Sequence, residues 1–370
     1  MLAALRFPVS RSRGRRYPEL SHPYRNEFQR DRDRVIHSRA FRRLENKTQV
    51  FPQGLSDHFR NRLTHTIEVA QIARTVAGVL QLDEDLTEAL ALVHDIGHPP
   101  FAHAGEEQLD RILQRYGEHF DHNLHALRIV EKFENKYARF PGLNLSFEVR
   151  EGIIKHSRDY RPGEVPEADE YIATGRPPLE AQLIDLCDEI AYNTADLDDA
   201  YSAGLLGIEQ LREAVPEFAD LYDEAEMQFP GASDRVKVQE IVRRLVDHLV
   251  SGLIDGTVRE AHRAGVESSD DVRRAPDRIA RSSEKVAGTT GALKSVLRRC
   301  VYQSDMVVAE RQQWTWRIEQ MFEFLMHSPS SMPEEYLEQT AGQPLHRTVA
   351  DYVAGMTDGF FVRTYEALLG

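Results

Sequence analysis

The sequence runs to 370 residues, 41% hydrophobic and 29% charged, with a formal net charge of −14. That length can bury a sizeable core, and no apolar run approaches the roughly 18–20 residues of a bilayer-spanning helix. The acidic balance excludes a generally nucleic-acid-binding surface, and two cysteines, Cys187 and Cys300, exclude both a disulfide framework and a thiolate metal site.

Charge is unevenly placed. Residues 1–62 carry 15 Lys/Arg against 6 Asp/Glu, whereas the remainder carries 31 against 54. Residues 1–21 therefore read as a basic N-terminal arm, able to attract phosphates or to lie solvated or against another copy. Its start, Met1 to Arg6, meets arginine before a signal-peptide apolar region develops, so a cytoplasmic protein is expected.

Further along, apolar residues recur at helical spacing. Leu63, Ile67, Ala70 and Ile72 to Leu80 form the first such run, and Leu86 to Val93 and Leu109 to Leu113 follow. Leu124 to Phe133, Leu179 to Ala191, Val238 to Leu253 and Trp314 to Met326 continue the pattern. Alternating β-branched runs are almost absent, which predicts an all-α fold. Pro52-Gln53-Gly54, Pro141-Gly142, Arg161-Pro162-Gly163 and Gly175 to Pro178 mark turns. The polar stretch 157–178 reads as a surface insertion or mobile loop, and the Ser/Gly-rich stretch 264–290 as a flexible connection. The division expected is an arm at 1–21, a helical core at 22–255 and a C-terminal helical region at 256–370 packing on that core.

His94-Asp95 closes the Leu86 to Val93 run, and Gly97-His98-Pro99-Pro100 breaks it. Adjacent imidazole and carboxylate groups suit a hard or borderline divalent cation if other ligands join them. His65 upstream and Asp188 downstream are candidates. Asp188 sits in an otherwise apolar helix, where a carboxylate needs a partner: a metal, an arginine or a helix cap. His94 and His98 also have the i, i+4 spacing of a zinc-protease H-E-x-x-H helix. However, Asp95 is too short for that general-base role, and Gly97 and the two prolines would disrupt the helix.

These residues resemble the H…HD…D signature of HD-domain phosphohydrolases, and more closely the bacterial deoxynucleoside triphosphate triphosphohydrolases, or dGTPase-like proteins. The resemblance is carried by Arg30 to Leu44, Lys47-Thr48-Gln49-Val50-Phe51, His94 to Glu106, Asp188 to Thr194 and Asp351 to Asp358, in that order. It implies an HD-domain helical core and makes His65, His94, Asp95 and Asp188 the metal ligands. Mn²⁺ or Mg²⁺ is the implied ion, with Zn²⁺, Fe²⁺ or Ni²⁺ as alternatives. Such an ion polarises the α-phosphoryl group and lowers the pKa of bound water.

By the same resemblance His103 and Glu106 form an acid–base pair, and their i, i+3 spacing places them on one helix face. His98 and His122 line the site, and Arg62 contacts phosphate. Gln49, Tyr192 and Asp196 contact the deoxyribose. Tyr192 and Asp196 follow Asp188 by four and eight residues, so one helix presents ligand, ring and carboxylate along a stripe. His119 and His125 have no such support and are left at the surface. Two departures stand out: Ser304 and Met306 in Val301 to Val307, and Ala195 beside Asp196, replace groups common in relatives.

The implied reaction converts a dNTP, dGTP among them, to deoxynucleoside and inorganic triphosphate. The alternatives are another HD nucleotide phosphohydrolase, such as a nucleotidase or phosphodiesterase, and a regulator binding nucleotides or single-stranded nucleic acid. The resemblance further implies a homo-oligomer, hexameric or tetrameric, and a dNTP effector in some relatives.

Overall fold

The computed structural model describes residues 1–51 and 58–370, and the predicted turn at Pro52-Gln53-Gly54 lies outside them. The fold is all-α, as the periodicity predicts: among the described residues the β pairings are two isolated bridges, Arg15 with Ser146 and Thr48 with Asn61. In chain order the helices are α1 (Glu27–Ile36), α2 (Arg39–Arg43), α3 (Arg62–Leu80), α4 (Glu84–Val93), α5 (Ala102–Gln114), α6 (His122–Arg128), α7 (Phe147–Lys155), α8 (Asp169–Ile172) and α9 (Leu179–Ser202). They continue as α10 (Ile208–Ala214), α11 (Pro216–Gln228), α12 (Asp234–Ala264), α13 (Ser269–Arg274), α14 (Glu284–Leu297), α15 (Asp305–His327), α16 (Glu334–Gln339), α17 (Leu345–Ala354) and α18 (Asp358–Leu369). No described helix is long and apolar enough to cross a membrane.

Two compact units share the chain. The first comprises Met1–Arg11, Ile67–Ala91 and Lys155–Val307. Its axis is α9, which packs against α12 and α14. Leu183, Ile184, Cys187 and Ile190 of α9 are buried, as are Ile241, Leu245 and Leu249 of α12. Each such side chain removed from water stabilises the fold by about 1.5–3 kcal/mol. Glu180, fully buried near the start of α9, accepts the backbone N–H of Phe7 at 2.9 Å and of Asp83 at 3.1 Å.

Both stretches read as loops from their composition are ordered here. Within 157–178, α8 forms and buries Tyr171 completely, and Lys155 donates to Thr174 Oγ1 and to the Gly175 carbonyl. Within 264–290, α12 stops at Gly265 in the left-handed conformation that glycine tolerates, and α13 follows. Gln182 then accepts the Ile279 N–H at 2.7 Å. One buried aromatic and a few side chain-to-backbone bonds outweigh the polar composition of these segments.

The second unit comprises Ser12–Thr66, Leu92–Ile154 and Val308–Gly370. Leu109, Ile112 and Leu113 on the inner face of α5 share a core with Phe322 and Leu325 of α15, Val349 and Val353 of α17, and Phe361 of α18.

The basic arm is committed to partners. Arg6 pairs with Asp83, Arg11 with Asp270, Arg15 with Glu27 and Asp31, and Arg16 with Glu131. The Arg13 guanidinium lies 3.7 Å from the Phe147 ring centroid.

Candidate active site

In the second unit α3 opens with Arg62 and carries His65 one turn later, while α4 ends at Val93 and delivers His94 and Asp95 into a tight turn. All four side chains are buried. The His65 and His94 ring centroids are 6.0 Å apart, and His94 Nε2 lies 3.6 Å from Asp95 Oδ1. Asp95 Oδ2 accepts from Arg62 Nη1 at 2.8 Å, and Oδ1 lies 2.9 Å from His98 Nδ1. Burial opposes charge on Asp95, but Arg62, His98 and His94 together hold it ionised, well below the usual carboxylate range. Burial, with the charges of Arg62 and His122, lowers His98 to about 3, so it is neutral near pH 7. Two buried imidazoles beside an ionised carboxylate fit a divalent cation.

Gly97 makes this turn possible. A Cβ there would meet the His122 carbonyl oxygen at 2.0 Å, so only glycine lets the start of α6 approach. The approach stacks His98 on His122 with centroids 3.9 Å apart. His122 Nδ1 lies 2.7 Å from Glu106 Oε1, whereas His103 Nδ1 is 3.9 Å from Glu106 Oε2. His98, His103 and Glu106 each bring a ligand-capable atom within 4.8 Å of the others. Burial opposes both charges of the Glu106–His122 pair, yet their mutual attraction holds Glu106 ionised and raises His122. His103 is 76% exposed and therefore open to an incoming molecule.

In the first unit α9 carries Asp188, Tyr192 and Asp196 on one continuous helix, as the spacing predicts. Burial first, and then the charge of Asp188, raises neighbouring Asp185 to about 6. Lys294 pairs with Glu189 and also hydrogen-bonds Tyr192. Tyr302 donates to Asp196 Oδ2.

The family models match two regions of the chain: an HD domain over residues 62–193 and a phosphohydrolase-associated domain over residues 280–367. A deoxyguanosinetriphosphate triphosphohydrolase-like protein of Ralstonia nicotianae is 43% identical over 97% of this chain and 92% of its own length. This chain belongs to that family. Proteins of the same description from Azoarcus sp. and Rhizobium meliloti are 44% and 43% identical, each over 96% of this chain and over 93% and 92% of their own lengths. The family matches make this chain an HD-domain phosphohydrolase.

Within this HD-domain chain the expected residues divide between the units. The second holds Gln49, Arg62, His65, His94, Asp95, His98, His103, Glu106 and His122, and the first holds Asp188, Tyr192 and Asp196. The Gln49 Oε1 atom is buried and has no hydrogen-bond partner among the described residues. His119 is exposed, as expected, and faces Asp110 at 3.0 Å. His125 corrects the expectation of a surface position. It is buried, its Nδ1 lies 2.8 Å from the Gly97 carbonyl, and burial lowers it to about 3.

Lys294 and Tyr302 were not singled out as site residues by sequence, because the helices that bring them to Tyr192 and Asp196 are about 100 residues away along the chain. Glu106 likewise has its nearest imidazole 16 residues away, in His122, rather than at i−3.

Proposed function

We propose that this phosphohydrolase cleaves dNTPs to deoxynucleoside and inorganic triphosphate, by water attack at the α-phosphorus. The observation that carries the reading is the buried Arg62–Asp95–His98 cluster beside His65 and His94, in a chain that shares nearly its full length with triphosphohydrolase-like relatives. The HD-domain match spans His65 to Asp188. The reading therefore assigns His65, His94, Asp95 and Asp188 to a divalent ion, Mn²⁺ or Mg²⁺ first. When bound, that ion supplies Lewis-acid polarisation of the phosphoryl group and acidifies water.

The remaining steps belong to the side chains. Arg62 keeps Asp95 ionised through one guanidinium nitrogen, and its Nε has no partner among the described residues. It can therefore also face a phosphate oxygen. His122, whose protonated form Glu106 favours, meets another phosphate oxygen. His103, exposed and next to Glu106, donates its proton to the departing 5′-oxygen. Tyr192 lies under C2′, where a ribose hydroxyl would clash, and Asp196 and Gln49 bind the 3′-OH.

The decisive assay incubates Mn²⁺-loaded protein with each dNTP alone and in pairs, then measures released triphosphate. Release of intact triphosphate from dNTPs, with ATP and GTP hydrolysed at no more than about a hundredth of the rate, is the expected result. Stepwise release of orthophosphate or pyrophosphate would replace this reading with another HD phosphohydrolase chemistry.

A further inference from the structure

The helix bearing His103 and Glu106 begins from an unusual turn. Phe101 has φ 63° and Ala102 φ 55°, so two successive residues with side chains occupy the left-handed region that such residues avoid. Something must hold them there. Gly105 contributes, since a Cβ at that position would meet the Pro100 carbonyl oxygen at 2.0 Å.

The stronger hold comes from the C-terminal helices. Asp358, buried at the first position of α18, accepts the Phe101 N–H through Oδ1 at 3.0 Å and the Thr48 N–H through Oδ2 at 2.7 Å. An aspartate at a helix start ordinarily serves its own helix. In α18 that task falls to Thr357, whose side chain accepts the Phe360 N–H. The Asp358 carboxylate is free to join two segments 53 positions apart in sequence. Lys47, next to Thr48, completes the tie, because its buried Nζ donates to the His98 carbonyl and to the Ala354 carbonyl at 3.2 Å. The Phe101 ring is stacked on Trp314 at 4.2 Å and meets Phe361 edge-on at 5.2 Å.

We propose that Asp358 is a positioning residue for the acid–base helix: by gripping the Thr48 and Phe101 amides it keeps the left-handed turn that aims His103 and Glu106. The role of the turn rests on the reading of His103 and Glu106 given above. It also gives the phosphohydrolase-associated region, residues 280–367, a task in the chemistry of the HD region.

The test uses the full-length chain and the variant Asp358→Asn, which keeps one acceptor oxygen but turns an NH₂ group toward the other N–H. Amide hydrogen exchange is read across the molecule without substrate. Exchange over residues 99–106 should rise about tenfold or more while the α3 segment stays unchanged. The kcat for triphosphate release should fall about 10–100-fold, with KM and Mn²⁺ affinity within about threefold of wild type. Adding Ala102→Gly, which takes a positive φ without strain, should restore about threefold or more of the lost kcat. Thr357→Ala, which removes the cap of the same helix, should leave kcat within about twofold.

Unchanged exchange over 99–106, or an equal rise everywhere, would overturn the proposal, as would an unaltered kcat in an active protein. If Asp358→Asn does not fold, the wild-type amides decide. Thr48 and Phe101 should exchange at least about 100-fold more slowly than in a free peptide, and fast exchange at both would sink the idea. If the wild-type chain releases no triphosphate, the functional reading fails while the exchange result still decides the role of Asp358.

Discussion

Arg62 and Asp95 are buried together, with Nη1 and Oδ2 2.8 Å apart, although 33 positions separate them in the chain. The aspartate is the second half of the His94-Asp95 pair, and so the arginine stands guard over a candidate metal ligand. Removing one partner of such a pair strands a charge in a low-dielectric interior, at a cost of about 3–5 kcal/mol.

Arg62→Met should therefore unfold at markedly lower urea in metal-free buffer. Saturating Mn²⁺ should recover part of the loss, about 1–3 kcal/mol, since a bound cation gives Asp95 a replacement positive charge. Urea titrations with and without Mn²⁺ measure both effects. Equal stabilisation of wild type and variant by Mn²⁺ would argue that Asp95 is not a ligand.

The Glu106–His122 pair makes a separate prediction, about protonation. Burial depresses His122, and attraction to Glu106 first, then to Asp121 and Asp95, reverses the sign. Glu106→Gln should move the His122 imidazole to a lower pKa, by about one unit or more, as followed by NMR titration of its ring nitrogens. If protonated His122 binds a phosphate oxygen, the alkaline limb of kcat/KM should shift to lower pH by a similar amount. An imidazole that titrates identically in both proteins would separate the two residues functionally.

Tyr302 donates to Asp196, and both lie in the first unit. Tyr302→Phe removes one donor from a carboxylate proposed to hold the 3′-OH. The expected cost is about 1–2 kcal/mol of stability, with a rise in KM for dNTPs of about 3–10-fold and little change in kcat. Discrimination between dNTPs and 2′,3′-dideoxynucleotides should narrow as well. A variant that kept its full preference for a 3′-OH would remove Asp196 from sugar recognition.

Glu180 supplies a stability test remote from any chemistry. Burial raises its carboxyl from 4.5 to about 7, against the opposing hydrogen bonds from the Phe7 and Asp83 amides. Below pH 4.5 the group is protonated in the folded and unfolded states alike, and its contribution is fully present. Between 4.5 and about 7 only the folded chain keeps the proton, so stability falls as pH rises through that window. The fall should reach at most ~3 kcal/mol. Glu180→Gln keeps an acceptor oxygen and cannot ionise, so its urea midpoints from pH 5 to 8 should lack this component. Parallel pH profiles for the two proteins would contradict the assignment.

Helix positions were readable because burial of one face imposes a 3.6-residue period, which α3, α4, α5 and α9 display. The same logic placed Tyr192 and Asp196 on the Asp188 helix. Contacts between distant segments leave no such period. Glu106 is three residues from His103, which made that pairing visible, but its shorter contact is to His122 on another helix. His125 looked like one more polar residue beside two other histidines, and only the approach of α6 to Gly97 shows why it is buried. The left-handed turn at Phe101 and Ala102 carries no glycine or asparagine, so no local residue type announced it. Composition misled in the opposite direction at Tyr171 and Ile279, where isolated apolar side chains anchor polar stretches.

The Asp358 tie also has a consequence for the order of assembly on the ribosome. Synthesis reaches Phe101 long before residue 358, so the amides of Thr48 and Phe101 leave the exit tunnel with their acceptor not yet made. Contacts of such sequence separation form late and slowly. Until α18 emerges, the Phe101 and Thr48 amides therefore lack the carboxylate that accepts from them. On the role proposed for Asp358, the turn at Phe101 and Ala102 would be held only once residue 358 has been made.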